Sequence, residues 1–421
     1  MPDIEDPLLP AAPFLTGPHG SDVLEPAVVA AGGVLLHATA RQVIYRPSRD
    51  LTVMFTASIS WGGGPPTEET LVAGTVKRGE LPGTVPVEAG DLRVHVWRYP
   101  FDPFLPGLAD AVTTPGIAAL LGAKASEVRL QVVSFRACRR AVVRVQQQGS
   151  DDLYVKVIPP ADVDGLVARH EALRRGGIPV PELTHVVADR GLVVSRALPG
   201  HDLRTALANG STSLPTSTQF AGIVGRFAAI DLPDAEPVLS LLTAAPRHAA
   251  MLRVVLPGTS ERLRLVLDAI ASDQPTTVGR TIHGDLHDAQ LRVNEHGEIV
   301  GVLDVDGAGP GDPLDDLARL TAHLHALAVL GNGHDIPPGS PAACDYAALT
   351  LRTMRAQIDD RAAFDSRFAA ALIGLATGPY RAQSDGWQLR TLEVLELAAQ
   401  VHADEKDLRR DSSGSHAGEV N

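Results

Sequence analysis

The chain has 421 residues, enough for two or three domains with sizeable cores. With 44 % hydrophobic and 21 % charged residues it reads as globular, and its net charge of −13 argues against nucleic acid as the main partner, because phosphate binding needs a surplus of Lys and Arg. Only Cys138 and Cys344 occur, which excludes a disulfide framework and favours a reducing compartment.

In chain order, residues 1–20 are rich in Pro and Gly and read as irregular. The opening Met1-Pro2-Asp3-Ile4-Glu5-Asp6 lacks the basic stretch of a signal peptide. The longest apolar run, Ala27 to Leu36, is too short to span a bilayer. We therefore expect a cytoplasmic protein with no membrane partner. A strand runs from Arg41 to Ser60, rich in Val, Thr and Ile, and is broken by Gly62-Gly63-Gly64-Pro65-Pro66. Leu71–Lys77 and Leu92–Tyr99 read as further strands, and Gly107–Leu121 as a helix. A domain boundary is placed near residue 120. A faint echo links Ile44-Tyr45-Arg46-Pro47-Ser48-Arg49 to Ser134-Phe135-Arg136-Ala137-Cys138-Arg139, with strand-like sequence after both. Two unrelated hairpins explain it better than a duplication does.

Val128–Phe135, Ala141–Gln147 and Leu153–Ile158 read as consecutive strands. A helix follows from Ala161 to Arg175, stopped by Gly176-Gly177 and Pro179. Strands return over Thr184–Arg196, and Leu198-Pro199-Gly200 closes the section. Beyond residue 200 the pattern is helical: Ser217–Ile230, Arg247–Ile270, Leu314–Leu330, Ala342–Ile358, Ala362–Leu375 and Asp385–His402. The helices are interrupted once, at 281–304, by a strand–loop–strand that reads as a β-hairpin. Residues 405–421 are polar and read as a disordered tail.

That interruption carries the chemistry. It holds His283-Gly284-Asp285-Leu286-His287-Asp288-Ala289-Gln290 and then Gly301-Val302-Leu303-Asp304-Val305-Asp306. Asp285 and Asp304 lie 19 residues apart (304 − 285), a layout suited to phosphoryl transfer: one carboxylate meets a substrate hydroxyl, the other holds Mg²⁺ on nucleotide phosphates. Either Asp could instead cap a turn. Asp306 competes with Asp304 for the metal. Lys156, inside the strand Tyr154–Ile158, needs an anion if it points inward and nothing if it faces solvent. Glu171, 15 residues on (171 − 156), is its expected partner, with Arg169 and Glu182 as other participants. Within the turn Arg136-Ala137-Cys138-Arg139-Arg140, Arg139 contacts phosphate or belongs to a solvated basic turn.

These residues resemble the aminoglycoside phosphotransferase and choline-kinase group of small-molecule kinases, relatives of the protein-kinase fold. The resemblance runs from about residue 125 to 404. Its most specific part is 283–318, HGDLHDAQ and then VLDVDGAGPGDPLDDLA. It implies an α+β, protein-kinase-like two-lobed fold: an N-lobe at 121–199 with a small antiparallel sheet and one helix, and a helical C-lobe at 200–404. To these is added an N-terminal α+β cap, 1–120. The cap is reminiscent of bacterial maltokinases by architecture and length.

The implied reaction is transfer of the γ-phosphoryl group of ATP or GTP, with Mg²⁺, to a hydroxyl of an aminoglycoside, sugar or other metabolite. The alternatives are a maltokinase-like sugar kinase and a non-catalytic nucleotide-binding module. Asp285 would be the catalytic base and Asp304 a metal ligand. Lys156, positioned by Glu171, would hold the α/β-phosphates. Ser195 to Leu198, including Ala197, would be the hinge beside adenine; His283, Asp312 and Asp316 would be structural. Gln290 departs from the family, which usually has Asn there as the second metal ligand. Acidic residues of the helical region (Asp315, Asp345, Asp359, Asp360, Glu393) would face a polycationic acceptor or solvent, and Tyr380 and Trp387 a sugar ring or the core. The cap would restrict opening of the nucleotide lobe or form a homodimer contact, and its Trp61–Gly64 turn would reach the nucleotide.

Overall fold

The computed structural model describes residues 6, 8–46, 49–75, 81–89, 92–147, 149–232, 234–271, 273, 279–332 and 335–414. Two short helices, α1 (Ala11–Thr16) and α2 (Gly20–Ala30), open the chain, so part of the stretch read as irregular is helical. The strand expected over 41–60 is two strands, β1 (Gly33–Arg46) and β2 (Asp50–Trp61), joined as a hairpin. With β3 (Thr67–Gly74), β4 (Val85–Ala89) and β5 (Leu92–Arg98) they form an antiparallel sheet of order β1-β2-β3-β5-β4. Val76 and Lys77, expected in β3, lie outside the described residues.

Alternation shapes this sheet. Leu51, Val53, Phe55, Ala57 and Ile59 of β2 are buried against Leu15, Val23 and Leu24 of the two helices. The same core takes in Ala250, Met251 and Tyr380 from the C-terminal half, and the Thr16 hydroxyl meets the Tyr380 hydroxyl at 3.1 Å. Ile44, Val72 and Trp97 pack on Ala137 and Cys138 of the following lobe. The cap therefore touches both halves of the remainder.

Helices α3 (Leu108–Ala111) and α4 (Thr114–Leu121) lead to a second sheet. It contains β6 (Val128–Arg136), β7 (Arg140–Gln147), β8 (Leu153–Val157), β9 (Leu183–Val187) and β10 (Leu192–Arg196), in the order β6-β7-β8-β10-β9. Helix α5 (Val163–Arg175) links β8 to β9. Ala141, Val143, Val145, Val155, Val157 and Val194 turn one face to Leu105, Leu108, Ile117 and Ala118. The linker helices thus belong to this lobe's core, and the boundary near residue 120 moves toward residue 100. The period of two sends Lys156, between Val155 and Val157, to the other face.

The C-lobe begins with β11 (His201–Asp202), α6 (Leu203–Ala208) and α7 (Ser217–Ala228). The helix expected over 247–270 is split at Pro257-Gly258 into α8 (Leu241–Val255) and α9 (Ser260–Ile270). Four short strands follow: β12 (Arg280–Ile282), β13 (Leu291–Val293), β14 (Ile299–Val302) and β15 (Gly309–Gly311). The expected single hairpin over 281–304 does not form. β12 pairs with β15, while β13 pairs with β14 and β11. Helices α10 (Pro313–Leu330), α11 (Pro341–Gln357), α12 (Arg361–Ala376), α13 (Gly378–Arg381) and α14 (Trp387–Gly414) close the lobe around one core. Helix α14 extends past residue 404, so 405–414 is helical rather than a tail; 415–421 lie outside the described residues. No helix among the described residues is long and apolar enough to cross a membrane.

Candidate active site

β12 delivers His283, Gly284 and Asp285 to the cleft between the lobes. Gly284 has φ +82, and a Cβ there would lie 3.0 Å from the Gly307 carbonyl oxygen, so the turn requires glycine. The wholly buried Asp316 of α10 accepts from the N–H groups of His283, at 2.6 Å, and Gly284, at 2.9 Å. Burial pushes its carboxyl above the usual range, against the pull of His283 and these donors. His283 has no solvent exposure. Its Nε2 faces the Leu303 carbonyl at 2.9 Å, which can only accept, so Nε2 carries the proton and Nδ1 accepts the Asp285 N–H at 3.2 Å. One neutral ring thereby ties Asp285 to the residue preceding Asp304. The Asp285 side chain remains 51 % exposed, with Arg319 Nη1 3.8 Å away.

Asp304 sits in the left-handed region, φ 57, where β14 gives way to a helical turn. Its Oδ1 accepts from Lys156 Nζ at 2.9 Å and Arg140 Nη1 at 2.7 Å, and its Oδ2 lies 2.6 Å from Arg140 Nη2. Burial would raise this carboxyl, but the two cations outweigh it and hold the group well below the usual range. Lys156 also donates to both oxygens of Asp306 at 2.7 Å. Lys156 is therefore inward and its partners are aspartates. Glu171 is exposed and makes no ion pair with Lys156 among the described residues. The buried stripe of α5 is Val163, Leu166, His170 and Leu173, which places His170, not Glu171, on the inner face. Burial, reinforced by Lys156, pushes the His170 imidazole down to about 4. Arg169 donates to the Asp306 carbonyl, and Glu182 pairs with Arg196 at 3.2 Å.

Gln290 lies between His287 and Asp304. His287 Nδ1 accepts from the Ala289 N–H at 3.2 Å, so its Nε2 carries the proton. The amide atom of Gln290 facing that Nε2 at 3.1 Å is assigned as Nε2, a second donor. Nitrogen in that place can donate to the Asp304 carboxylate, whereas a flipped amide would set two acceptor oxygens against each other. That same position lies 3.3 Å from Asp304 Oδ2.

Three cavities meet here. The first, about 370 Å³, is a slot under the second sheet, lined by Val142, Tyr154, Lys156, His170, Leu303 and Asp304, with Ser195 and Ala197 at its edge. At that edge the N–H groups of Arg196 and Ala197 are taken by the carbonyls of Glu182 and Asp152, both at 2.9 Å, while the Leu198 N–H has no partner among the described residues. The second, about 640 Å³, is lined by Arg136, Arg139, Arg140, Arg169, Asp285, Asp304 and Asp306. Arg46 and Arg49 from the cap hairpin also line it. The cap thus reaches the site through its β1–β2 turn and not through Trp61–Gly64; Trp61 instead donates to Glu69 at 2.6 Å. The third, about 350 Å³, lies on the far side of Asp285 between α8, α10, α12 and α13, with Gln42, Val43 and Ile44 of β1 as one wall.

Arg319, His323, His248 and Arg381 of that third cavity are absent from the sequence-derived site. A signal existed for two of them: Asp316, Arg319 and His323 recur at spacings of three and four along one side of a helix. Asp312 caps α10 through the Leu314 N–H at 3.0 Å and pairs with buried Arg367 at 2.8 Å, as the structural role requires. Tyr380 and Trp387 are packed together in the core, with centroids 4.9 Å apart.

Residues 137–334 match the model of the phosphotransferase enzyme family. The match starts in the turn after β6 and ends just beyond α10, just under half of the chain. It covers Lys156, Asp285, Gln290 and Asp304 and leaves the cap outside. No curated protein sequence matches. Among solved structures, a thermostable aminoglycoside phosphotransferase mutant bound to AMP-PNP and hygromycin B is similar at 14 % identity and TM-score 0.49, over 68 % of this chain and 96 % of that one. An ethanolamine kinase from Plasmodium vivax is similar at 11 % identity and TM-score 0.42, over 65 % and 83 %. A macrolide 2'-phosphotransferase from Brachybacterium faecium is similar at 18 % identity and TM-score 0.40, over 66 % and 96 %. The matched segment holds the whole acidic centre, from the β8 lysine to the turn after β14.

Proposed function

We propose that the protein transfers the γ-phosphoryl group of ATP, or GTP, to a hydroxyl of a small molecule. The observation carrying this is the position of Asp285, which lines both the arginine-rich compartment and the separate cavity beyond it. A hydroxyl in the third cavity and a phosphate in the second would meet at this carboxylate. Asp285 orients the hydroxyl and takes its proton; it is exposed enough to be reached and is aimed by the His283–Asp316 network. The apolar slot takes the base, with the Leu198 N–H as donor. Lys156, Arg139 and Arg140 hold phosphate oxygens.

The donor set suits Mg²⁺. Asp304 and Asp306 present hard carboxylate oxygens around a common point, now held by the Lys156 ammonium, and the Gln290 amide reaches the same carboxylate. The ion would neutralise charge on the transferring phosphoryl group. Gln290 suits this place because its length spans His287 and Asp304 together.

The test is Asp285→Asn in an ADP-release assay over sugars, amino alcohols, hydroxy acids and aminoglycosides. Turnover should fall by about 10²–10⁴-fold, while ATP with Mg²⁺ still raises the melting temperature. Full turnover by the variant refutes the assignment.

A further inference from the structure

The third cavity has a charge pattern that the proposed reaction does not by itself require. Its charged lining is Arg136, Arg319, Arg381 and one carboxylate, Asp285. Arg136 also lines the second compartment and so is available to phosphate, whereas Arg319 and Arg381 line only the third cavity. Among the described residues Arg381 forms no ion pair. The Nε atoms of Arg319 and Arg381 are buried and lack hydrogen-bond partners, as does Gln42 Oε1 on the cap wall.

Arg367 provides the contrast within the same lobe. It is far more deeply buried, and the difference lies in charge: two carboxylates, Asp312 at 2.8 Å and Asp315 at 3.2 Å, face it. Arg381 has no ion pair among the described residues and Arg319 has only Asp285, at 3.8 Å, so the cavity keeps a surplus of positive charge that an anion would complete. The histidines of this cavity do not supply or need that anion. Burial, with Arg381 and Arg319 adding to it, pushes His248 down to about 4, and burial keeps His323 well below its usual value. Both are neutral hydrogen-bonding groups at neutral pH.

The acidic residues that could have received a polycation are elsewhere. Asp345, Asp359, Asp360 and Glu393 are exposed, and Asp315 is committed to Arg367 and the Leu241 N–H. None of them lines the cavity. Ala370, Ala371 and Gly374 make a floor of small side chains, and a volume near 350 Å³ is at the small end for ligand pockets.

We propose that the acceptor is a small anionic alcohol whose carboxylate or phosphate docks on Arg381 and Arg319 while its hydroxyl faces Asp285. This rests on the kinase reading above. In the step, the acceptor oxygen bonds to the γ-phosphorus as the bond from that phosphorus to the β,γ-bridging oxygen breaks. ADP leaves, and the hydroxyl proton passes to Asp285. The fixed guanidinium fork sets the distance from anion to reacting oxygen.

The experiment uses the full-length protein and matched probes: hydroxy acids against their amides, sugar phosphates and aldonic acids against neutral sugars, and aminoglycosides. Binding is read by thermal shift with a non-hydrolysable ATP analogue and Mg²⁺; turnover is read by ADP release. An anionic member should bind and turn over, and its neutral counterpart should be worse by at least about tenfold. Arg381→Met should raise KM for the anionic acceptor far more than it lowers kcat, Arg381→Lys should restore part of the loss, and the melting temperature of Arg381→Met should not fall. A merely structural arginine would give a lower melting temperature and no KM-specific effect.

Anionic binding lost in Arg381→Met but without any turnover would support the anion site and overturn the kinase reading. Turnover confined to neutral or cationic acceptors, indifferent to Arg381, would overturn this proposal and leave the kinase reading standing. A panel in which no anionic member binds also overturns it.

Discussion

The cap and the N-lobe carry two five-stranded antiparallel sheets with the same strand order, the first three strands in sequence and the last two exchanged. They differ in what occupies that frame. In the lobe, α5 fills the connection from third to fourth strand, and the third strand puts Lys156 on the slot face. In the cap, residues 81–84 precede the fourth strand without a helix, and the third strand buries Leu71, Val72 and Ala73. The faint sequence echo between the two hairpin turns corresponds to a shared topology, and both turns line the same arginine-rich compartment. A common frame does not confer chemistry; a lysine on one strand and an adjacent acidic loop do.

The largest test of that contrast removes the lysine. Lys156→Met should lower kcat/KM by roughly 10²–10³-fold, the scale of losing one preorganised charge contact to a transition state. The folded protein should survive, with Asp304 still paired to Arg140. A Lys156→Met enzyme with wild-type kcat/KM would show that the two third strands differ less than their residues suggest.

Acid should separate the two regions next. His170, His248 and His325 are pushed down to about 4, and His323 further, each chiefly by burial. Histidines with folded values below the unfolded one contribute stability that is whole above about pH 6.5 and is lost as pH falls toward 4. Asp315, pushed up to about 6 by burial, works in the opposite direction, as do Asp316 and Asp102, also raised by burial, and these offset part of the effect. All four histidines lie in the kinase-like lobes, and the cap has only His95 buried among its described residues. Between pH 6.5 and 4.5, helical circular dichroism should fall before tryptophan emission shifts, because two of the three tryptophans, Trp61 and Trp97, are in the cap. Coincident transitions would mean that the shared packing around Tyr380 and Met251 makes the regions one unit.

The smallest effect compares the two turns directly. Arg139→Ala should raise KM for the nucleotide by about tenfold, and Arg49→Ala on the cap turn by only about two- to threefold, since Arg139 sits next to Arg140, which holds Asp304, whereas Arg49 reaches the compartment from the cap. Equal effects would make the cap turn a full partner in phosphate binding.

The site motif was readable because its residues are contiguous: the Gly284 turn, the Asp285 loop and the Asp312–Asp316 helix start all lie within a short stretch. Strand alternation put Lys156 on the face opposite Val155 and Val157 but left open whether that face met an anion or solvent; the structure turns it onto Asp304 and Asp306. Glu171 failed on phase. The apolar positions Val163, Leu166, His170 and Leu173 already fix the inner face of α5, and Glu171 lies one residue past it. The strands at 281–311 could not be paired from sequence because strands of three or four residues carry almost no register information, and β12 skips its neighbours to reach β15 while β13 also takes β11 from outside the interval. The third cavity was hidden for a similar reason: its cations sit on separate helices, with a wall from the cap, and meet only in the folded chain.

The His283 imidazole sits as a spacer block between the loop of the proposed proton acceptor, Asp285, and that of the proposed metal carboxylate, Asp304, bonded to one through Nδ1 and to the other through Nε2. Under the proposed reaction its rigid width, rather than either aspartate, would set the spacing of the two carboxylates. Replacement by Asn or Gln could keep a polar contact yet would lose the fixed span, so the two aspartates would remain chemically intact while going out of calibration.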